Sequence, residues 1–261
     1  MMRVRGRLES RHVQVDDWLL HVRESTNEPM LDAPPVILVH GLGVSSRHMI
    51  PAALHLSPWF RTIAPDLPGY GRSPKPWHVL DVAELADVLK AFMERERIDE
   101  AILVSLSFGC QIVVELAATR PDLVAAAVLV GPTIDVDAQD APTQVARLLI
   151  DATREPLGLM PVIFQEYSAF GVRRGFVTLM HALDHPVVDK LPFVTSPTLV
   201  VKGERDPIVP DSWAQRIVDL LPNGSLAVIG GAAHAANFSH PAELADLVRE
   251  FVIPYVGREQ G

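Results

Sequence analysis

The sequence predicts an α/β fold: a mostly parallel sheet of eight strands, helices on both faces, and a helical insert. Three observations predict it. Short, unbroken apolar runs such as Val36–Val39, Val124–Val130 and Thr198–Val201 read as strands covered on both faces, as parallel sheets require. Amphipathic stretches of helical period separate them, the alternation that builds crossover units. From Ile134 to about Phe193 that alternation stops and only short helical pieces remain.

Composition narrows the possibilities. The chain has 261 residues, 48% of them hydrophobic and 21% charged, enough for a large core and against gross disorder. Its formal net charge is −9 and no basic cluster stands out, so neither nucleic acid nor a membrane surface is an expected partner. With Cys110 as the single cysteine, an internal disulfide and a cysteine-based metal site are excluded. The opening Met-Met-Arg-Val-Arg-Gly-Arg has no apolar stretch behind it and does not read as a signal peptide; no run reaches membrane-spanning length. A cytoplasmic location is expected, as monomer or homodimer.

In chain order, Leu8–Gln14 and Trp18–Arg23 read as a hairpin turning at Asp16-Asp17, and Val36–Val39 as a buried strand ending in His40-Gly41-Leu42-Gly43. Ser45–Leu56 is expected to be helical despite Pro51. Arg61–Ala64 is the next strand and runs into Pro65-Asp66-Leu67-Pro68-Gly69-Tyr70-Gly71-Arg72-Ser73, a compact turn in which Asp66 and Arg72 are expected to pair. Asp81 caps a helix over Val82–Arg97, with Leu85, Val88, Leu89 and Phe92 facing inward.

The stretch Ala101–Arg120 is the most informative. A strand (Ala101–Val104) passes almost at once into a helix whose Ile112, Val113, Leu116 and Ala117 share a face. Ser107 stands at the apex, with Ser105 two places before and Gly109 two after. A serine on so sharp a turn takes a strained backbone that lifts its hydroxyl above the sheet, and bulky residues at those flanking places would collide. The helix start aims N–H groups at whatever Ser107 attacks.

This segment resembles the nucleophile elbow of the α/β-hydrolase family, usually Gly-x-Ser-x-Gly, with Ser105 in place of the first glycine. The resemblance extends over nearly the whole chain. It implies that His40-Gly41 begins the oxyanion loop, with Leu42 N–H as one donor and Phe108 N–H as the other. The loop after Thr198–Val201, Lys202-Gly203-Glu204-Arg205-Asp206-Pro207, is similar to the family's acid loop. It makes Asp206 the expected carboxylate, with Glu204 as a nearby substitute. Leu226–Ile229 is the last strand; Gly230-Gly231-Ala232-Ala233-His234 after it resembles the catalytic-histidine loop, before a helix over Ala242–Val252. The order Ser107, Asp206, His234 is the family's order. The resemblance divides the chain into a core, residues 1–133 and 194–261, and a helical cap, residues 134–193, covering the site.

Within the cap, Pro142–Asp151, Pro161–Phe170 and Val172–Leu183 are the expected helices. Phe164 and Tyr167 are candidate pocket residues, as are His40 and Gly41 below them. Arg173 and Arg174 are placed either to bind a substrate carboxylate, for which arginine is well shaped, or to form a solvated face. His181 and His185 lack the carboxylates of a convincing metal site.

The implied reaction is hydrolysis of a small-molecule carboxylic ester through an acyl-enzyme, with no metal or organic cofactor. Thioester, lactone and C–C hydrolysis and perhydrolysis use the same triad; Ala235 and Ala236 stand where hydrolases of ring-cleavage products often carry tryptophan. A non-catalytic small-ligand-binding protein on the same fold is the alternative of another class.

Overall fold

The computed structural model describes residues 7–256; the signal-peptide reading of the N-terminus falls outside them, apart from Arg7. Chain order is β1 (Leu8–Val15), β2 (Trp18–Ser25), β3 (Val36–Val39), α1 (Ser46–Leu56), β4 (Thr62–Pro65), α2 (Val82–Arg95), β5 (Ala101–Leu106), α3 (Phe108–Thr119) and β6 (Val124–Val130). The helical stretch follows: α4 (Ala141–Ala152), α5 (Met160–Phe170), α6 (Val172–Asp184) and α7 (Val187–Lys190). The chain then returns through β7 (Thr198–Gly203), α8 (Asp211–Leu220), β8 (Gly224–Ile229), α9 (Ala236–Ser239) and α10 (Pro241–Val256).

One eight-stranded sheet runs β1-β2-β4-β3-β5-β6-β7-β8. β2 is antiparallel to both neighbours, and the pairs from β4 through β8 are parallel. The hairpin closes with Val15 opposite Trp18, and Asp16 supplies the positive φ its turn demands. Every residue of β3, β4, β5 and β7 is buried, the signature of strands sandwiched between helical layers. One layer packs Leu85, Leu89 and Phe92 of α2, Ile112 and Leu116 of α3, and Trp213 of α8 on the sheet. The opposite layer packs Met49, Ala53 and Leu56 of α1 and Leu244, Val248 and Val252 of α10. α2 begins with a reciprocal cap: the Asp81 carboxylate accepts from Glu84 N–H and the Glu84 carboxylate accepts from Asp81 N–H, both at 2.9 Å.

Two expectations change. The pattern puts one apolar face on α3, Ile112, Val113, Leu116 and Ala117, yet every residue from Phe108 to Ala117 is buried. The sheet covers one side, and α7 with the turn at Leu191–Phe193 covers another. Its polar residues find partners there: Gln111 Nε2 donates to Ala182 O at 2.9 Å, and Glu115 meets His185 and Lys190, each at 3.0 Å. Burial opposes ionising Glu115, but those partners more than offset it and hold its pKa below the usual value. Asp66, expected to pair with the Arg72 side chain, instead meets the His21 ring at 2.8 Å and accepts N–H bonds from Ser46 (2.7 Å) and Arg72 (2.9 Å). It ties β2, α1 and the following loop together from inside the fold.

Candidate active site

Ser107 lies between the end of β5 and the first residue of α3, with φ 55° and ψ −121°. A positive φ at a residue with a Cβ is strained by roughly 1–3 kcal/mol and persists only where surroundings enforce it. Here the enforcement is local crowding. Gly109 lies so close to the β3 end that an added Cβ would be 2.5 Å from His40 O and 2.7 Å from Val39 O. Gly41 packs against Ser107 itself, at 3.3 Å from its Cβ to the position of a side chain. Ser105, the departure from the usual motif, is fully buried; its hydroxyl lies 3.3 Å from both Val128 O and Cys110 Sγ. It points away from the turn's crowded side, which is why serine fits where glycine is usual. Burial pushes the Cys110 thiol up to about 12, so it remains a neutral packing group. As the first residue of α3, Phe108 has an N–H without a partner in its own helix.

His234 and Asp206 come from the loops after β8 and β7, neighbouring strands. His234 Nδ1 lies 2.8 Å from Asp206 Oδ2. Asp206 is held in turn by the N–H groups of Ile208 (2.8 Å) and Val209 (3.2 Å) on its other oxygen. Glu204 is committed elsewhere, accepting Gly231 N–H at 2.8 Å. With Nδ1 on the carboxylate, Nε2 is the ring nitrogen left for chemistry. Burial works against charging this imidazole, but Asp206, Asp151 and Glu155 outweigh it and raise its pKa to about 9. Gly131, at φ 56°, leaves room for the ring: a Cβ there would fall 2.9 Å from Nδ1 and Cε1.

Ser107 and His234 line one cavity of about 510 Å³, together with Gly41, Leu42 and Phe108. Its opposite wall comes from the helical stretch and is mostly apolar, including Leu148, Leu149, Ile163, Phe176 and Leu179. Two acids break that wall. Asp151, near the end of α4, accepts His234 N–H at 3.1 Å, and Glu155, four residues on, accepts Ala235 N–H at 2.6 Å. Burial raises both carboxyl pKa values, Glu155 to about 7. Neither was a sequence candidate. The signal available was two acids four apart where an amphipathic helix ends. His48 of α1 also lines the cavity; burial and the neighbouring His234 and His40 depress it to about 4, and Asn237 Nδ2 lies 3.1 Å from its Nδ1.

The remaining candidates divide. Gly41 lines the cavity, and Tyr167 both lines it and packs its ring against Gly43. His40 does not line it: the ring is buried, accepts Leu67 N–H at 3.2 Å on Nε2 and sits against its own loop. Phe164 is 77% exposed and away from the cavity. Arg173 is exposed on the outside of α6, and Arg174 donates to Pro76 O beyond the cavity. Their place on α6 turns both arginines off the inner wall, so neither is positioned for a substrate carboxylate. His181 and His185 are taken up by Leu80 O and Glu115.

A strained serine at a strand–helix turn, with a carboxylate-bound histidine across the cavity, is an arrangement to set beside known proteins. The profile described as "Alpha/beta hydrolase family" matches residues 36–247. The chain belongs to that family. As an enzyme it is therefore an alpha/beta hydrolase, and curated relatives carry hydrolase names. It is 26% identical to 2-(acetamidomethylene)succinate hydrolase of Mesorhizobium japonicum, covering 93% of this chain and 95% of that protein. To pyrrolizixenacetamide deacetylase of Xenorhabdus hominickii it is 28% identical over 84% of this chain and 91% of the relative. Among solved structures, a membrane phospholipase A described as a bacterial virulence factor superposes with a TM-score of 0.81 at 21% identity, covering 95% of this chain and 86% of the other. At that identity the likeness speaks for the fold alone. Among the described residues, no helix is long and apolar enough to cross a membrane.

Proposed function

We propose that this alpha/beta hydrolase is a serine esterase for small, largely apolar carboxylic esters. The observation that carries the reading is the strained Ser107 sharing one cavity with His234, whose Nδ1 is bound by the buried Asp206. In this reading His234 Nε2 takes the Ser107 hydroxyl proton as Oγ bonds to the acyl carbon. The oxyanion is met by the N–H groups of Leu42 and Phe108, each worth about 3 kcal/mol in such sites. The ester C–O bond breaks, and the departing oxygen takes the proton from His234. Water then adds to the acyl-enzyme, again losing a proton to His234, and the carboxylic acid leaves as that proton returns to Ser107. Asp206 keeps the imidazole in the needed tautomer.

The apolar wall supports hydrocarbon acyl or alcohol groups, and among the described residues no lysine or arginine lines the cavity. A substrate carboxylate would meet Asp151 and Glu155 instead of an arginine.

The test combines a fluorophosphonate probe with a panel of esters, thioesters, lactones and a vinylogous diketone. The intact protein is expected to label at Ser107 and to turn over esters fastest, and Ser107→Ala is expected to lose both, with kcat down at least ~10³-fold. Full activity in Ser107→Ala overturns the residue assignment. Absence of labelling together with absence of ester turnover overturns the esterase reading.

A further inference from the structure

We propose that the preferred substrate carries a protonated amine, held at the cavity wall by Glu155 with Asp151 beside it. The proposal rests on the esterase reading of the same cavity and adds its substrate class.

The first observation is an unmet hydrogen-bonding group. Glu155 is only 7% exposed, lines the cavity, and spends one oxygen on Ala235 N–H at 2.6 Å. Its other oxygen, Oε2, is buried with no hydrogen-bond partner among the described residues. A buried carboxylate oxygen without a donor carries a desolvation penalty that an N⁺–H group removes, by a charge-assisted bond. The backbone N–H next in the chain, that of His234, is already bonded to Asp151 at 3.1 Å.

The second observation is the charge balance of the walls. Asp206 reaches His234 from the loop after β7, Asp151 and Glu155 from the helical stretch, and neutral His48 faces it from α1. Arg154, a cation that acts on Asp151, spends a guanidinium N–H on Arg205 O at 2.7 Å. Three carboxyl groups thus surround one imidazole. The field favours a cation and repels a substrate carboxylate.

A consequence follows for catalysis. The same acids outweigh burial and raise the His234 pKa, which favours imidazolium, the form that accepts no proton from Ser107. An ammonium beside Glu155 cancels part of that field and returns His234 toward the neutral form. The substrate that fits the acids is then also the one that frees the base.

Matched esters test this. Methyl 4-(dimethylamino)butanoate is compared with its uncharged isostere, methyl 5-methylhexanoate, and with the anion monomethyl glutarate. A second pair carries the difference on the alcohol: 2-(dimethylamino)ethyl butanoate against 3-methylbutyl butanoate. At pH 7.5 the amine ester of at least one pair is expected to exceed its isostere at least tenfold in kcat/KM, with the glutarate slowest. Its kcat profile is expected to rise at lower pH than that of the isostere. Glu155→Gln retains an acceptor for Ala235 N–H and is expected to bring the amine-to-isostere ratio close to one. Equal or better turnover of both neutral isosteres overturns the proposal, as does an unchanged ratio in Glu155→Gln. Calorimetry of N,N-dimethylbutylamine with Ser107→Ala, with and without Glu155→Gln, reads the amine site apart from turnover. Binding that depends on Glu155 upholds the site even if no ester is cleaved, and no binding overturns it.

Discussion

The cavity's two walls are built on different principles. The sheet-side wall places Ser107, Asp206 and His234 at the carboxyl ends of β5, β7 and β8, and strand pairing fixes their spacing. Backbone contacts at Gly109 and Gly131 leave these groups little freedom. The helical wall is looser. Leu149, Val172 and Phe176 line the cavity yet remain exposed, and α4–α6 are joined to the core by the packing of Phe170, Ala182 and Leu183 and by side-chain bonds. Among these are Arg147 to Ile208 O at 3.3 Å, Glu166 to Ser45, and the two acids on the His234 loop. On the proposed reading, chemistry sits where the fold is over-determined and selectivity where the helical side chains decide. That division also suits evolution of substrate range on one scaffold.

The strongest test of the rigid wall removes its acid. Asp206→Asn is expected to lower kcat by about 10⁴-fold, because the imidazole loses its tautomer-fixing partner. Glu204→Gln, engaged only with Gly231 N–H, is expected to leave kcat within about threefold of the parent. Comparable losses in both would show that the acid's position is not strand-determined. Next comes Gly131→Ala. Its Cβ would press on the His234 ring at 2.9 Å from a backbone at φ 56°, so kcat is expected to fall by roughly 10²-fold. Stability is expected to drop by about 1 kcal/mol, read by denaturant unfolding. A fully active Gly131→Ala would mean that this wall yields as easily as the other.

Titration separates the walls at smaller amplitude. The folded pKa of His234, about 9, exceeds its ordinary 6.5, so its charged form contributes stability that is complete below pH 6.5 and lost as pH rises through 9. Glu155 is raised from 4.5 to about 7, so its protonated form likewise favours the fold below pH 4.5, and that contribution is lost as pH rises through 7. Unfolding free energy is therefore expected to fall in two stages between pH 4.5 and 9. Glu155→Gln is expected to remove the lower stage. An unchanged pH profile in that variant would place the acid outside the titrating site. The smallest effects belong to Arg173→Ala and Arg174→Ala, expected to change kcat/KM for acidic and neutral esters equally and by less than about threefold. A selective loss on acidic esters would restore a cationic face to the helical wall.

How legible the chain was follows the same line. The strands, the hairpin at Asp16-Asp17 and the Asp81 cap were readable because each depends on neighbours within a few residues. Of the helices between β6 and β7, α4, α5 and α6 were also found within a residue or two, Met160–Phe170 against an expectation from Pro161, while the short α7 (Val187–Lys190) was not. Their orientation was not. A helical period tells which residues share a face, and not which face meets the sheet, so Arg173 and Phe164 looked as eligible for the pocket as Tyr167. The full burial of α3 escaped the pattern for a related reason: α7 and the turn after it cover a side beyond the one apolar face that the spacing shows.

By itself, then, the sequence determined the alternation of strand and helix, the sharp turn at Ser107 and the order Ser107, Asp206, His234. All of these are written in local spacing, apolar runs and small residues at crowded places. Only the tertiary structure decided what faces them. Asp151 and Glu155 meet His234 and Ala235 across 83 and 80 residues of chain, and Asp66 closes on His21 across 45. Contacts at that separation depend on how the layers pack, and packing is a property of the whole fold that no window of sequence contains.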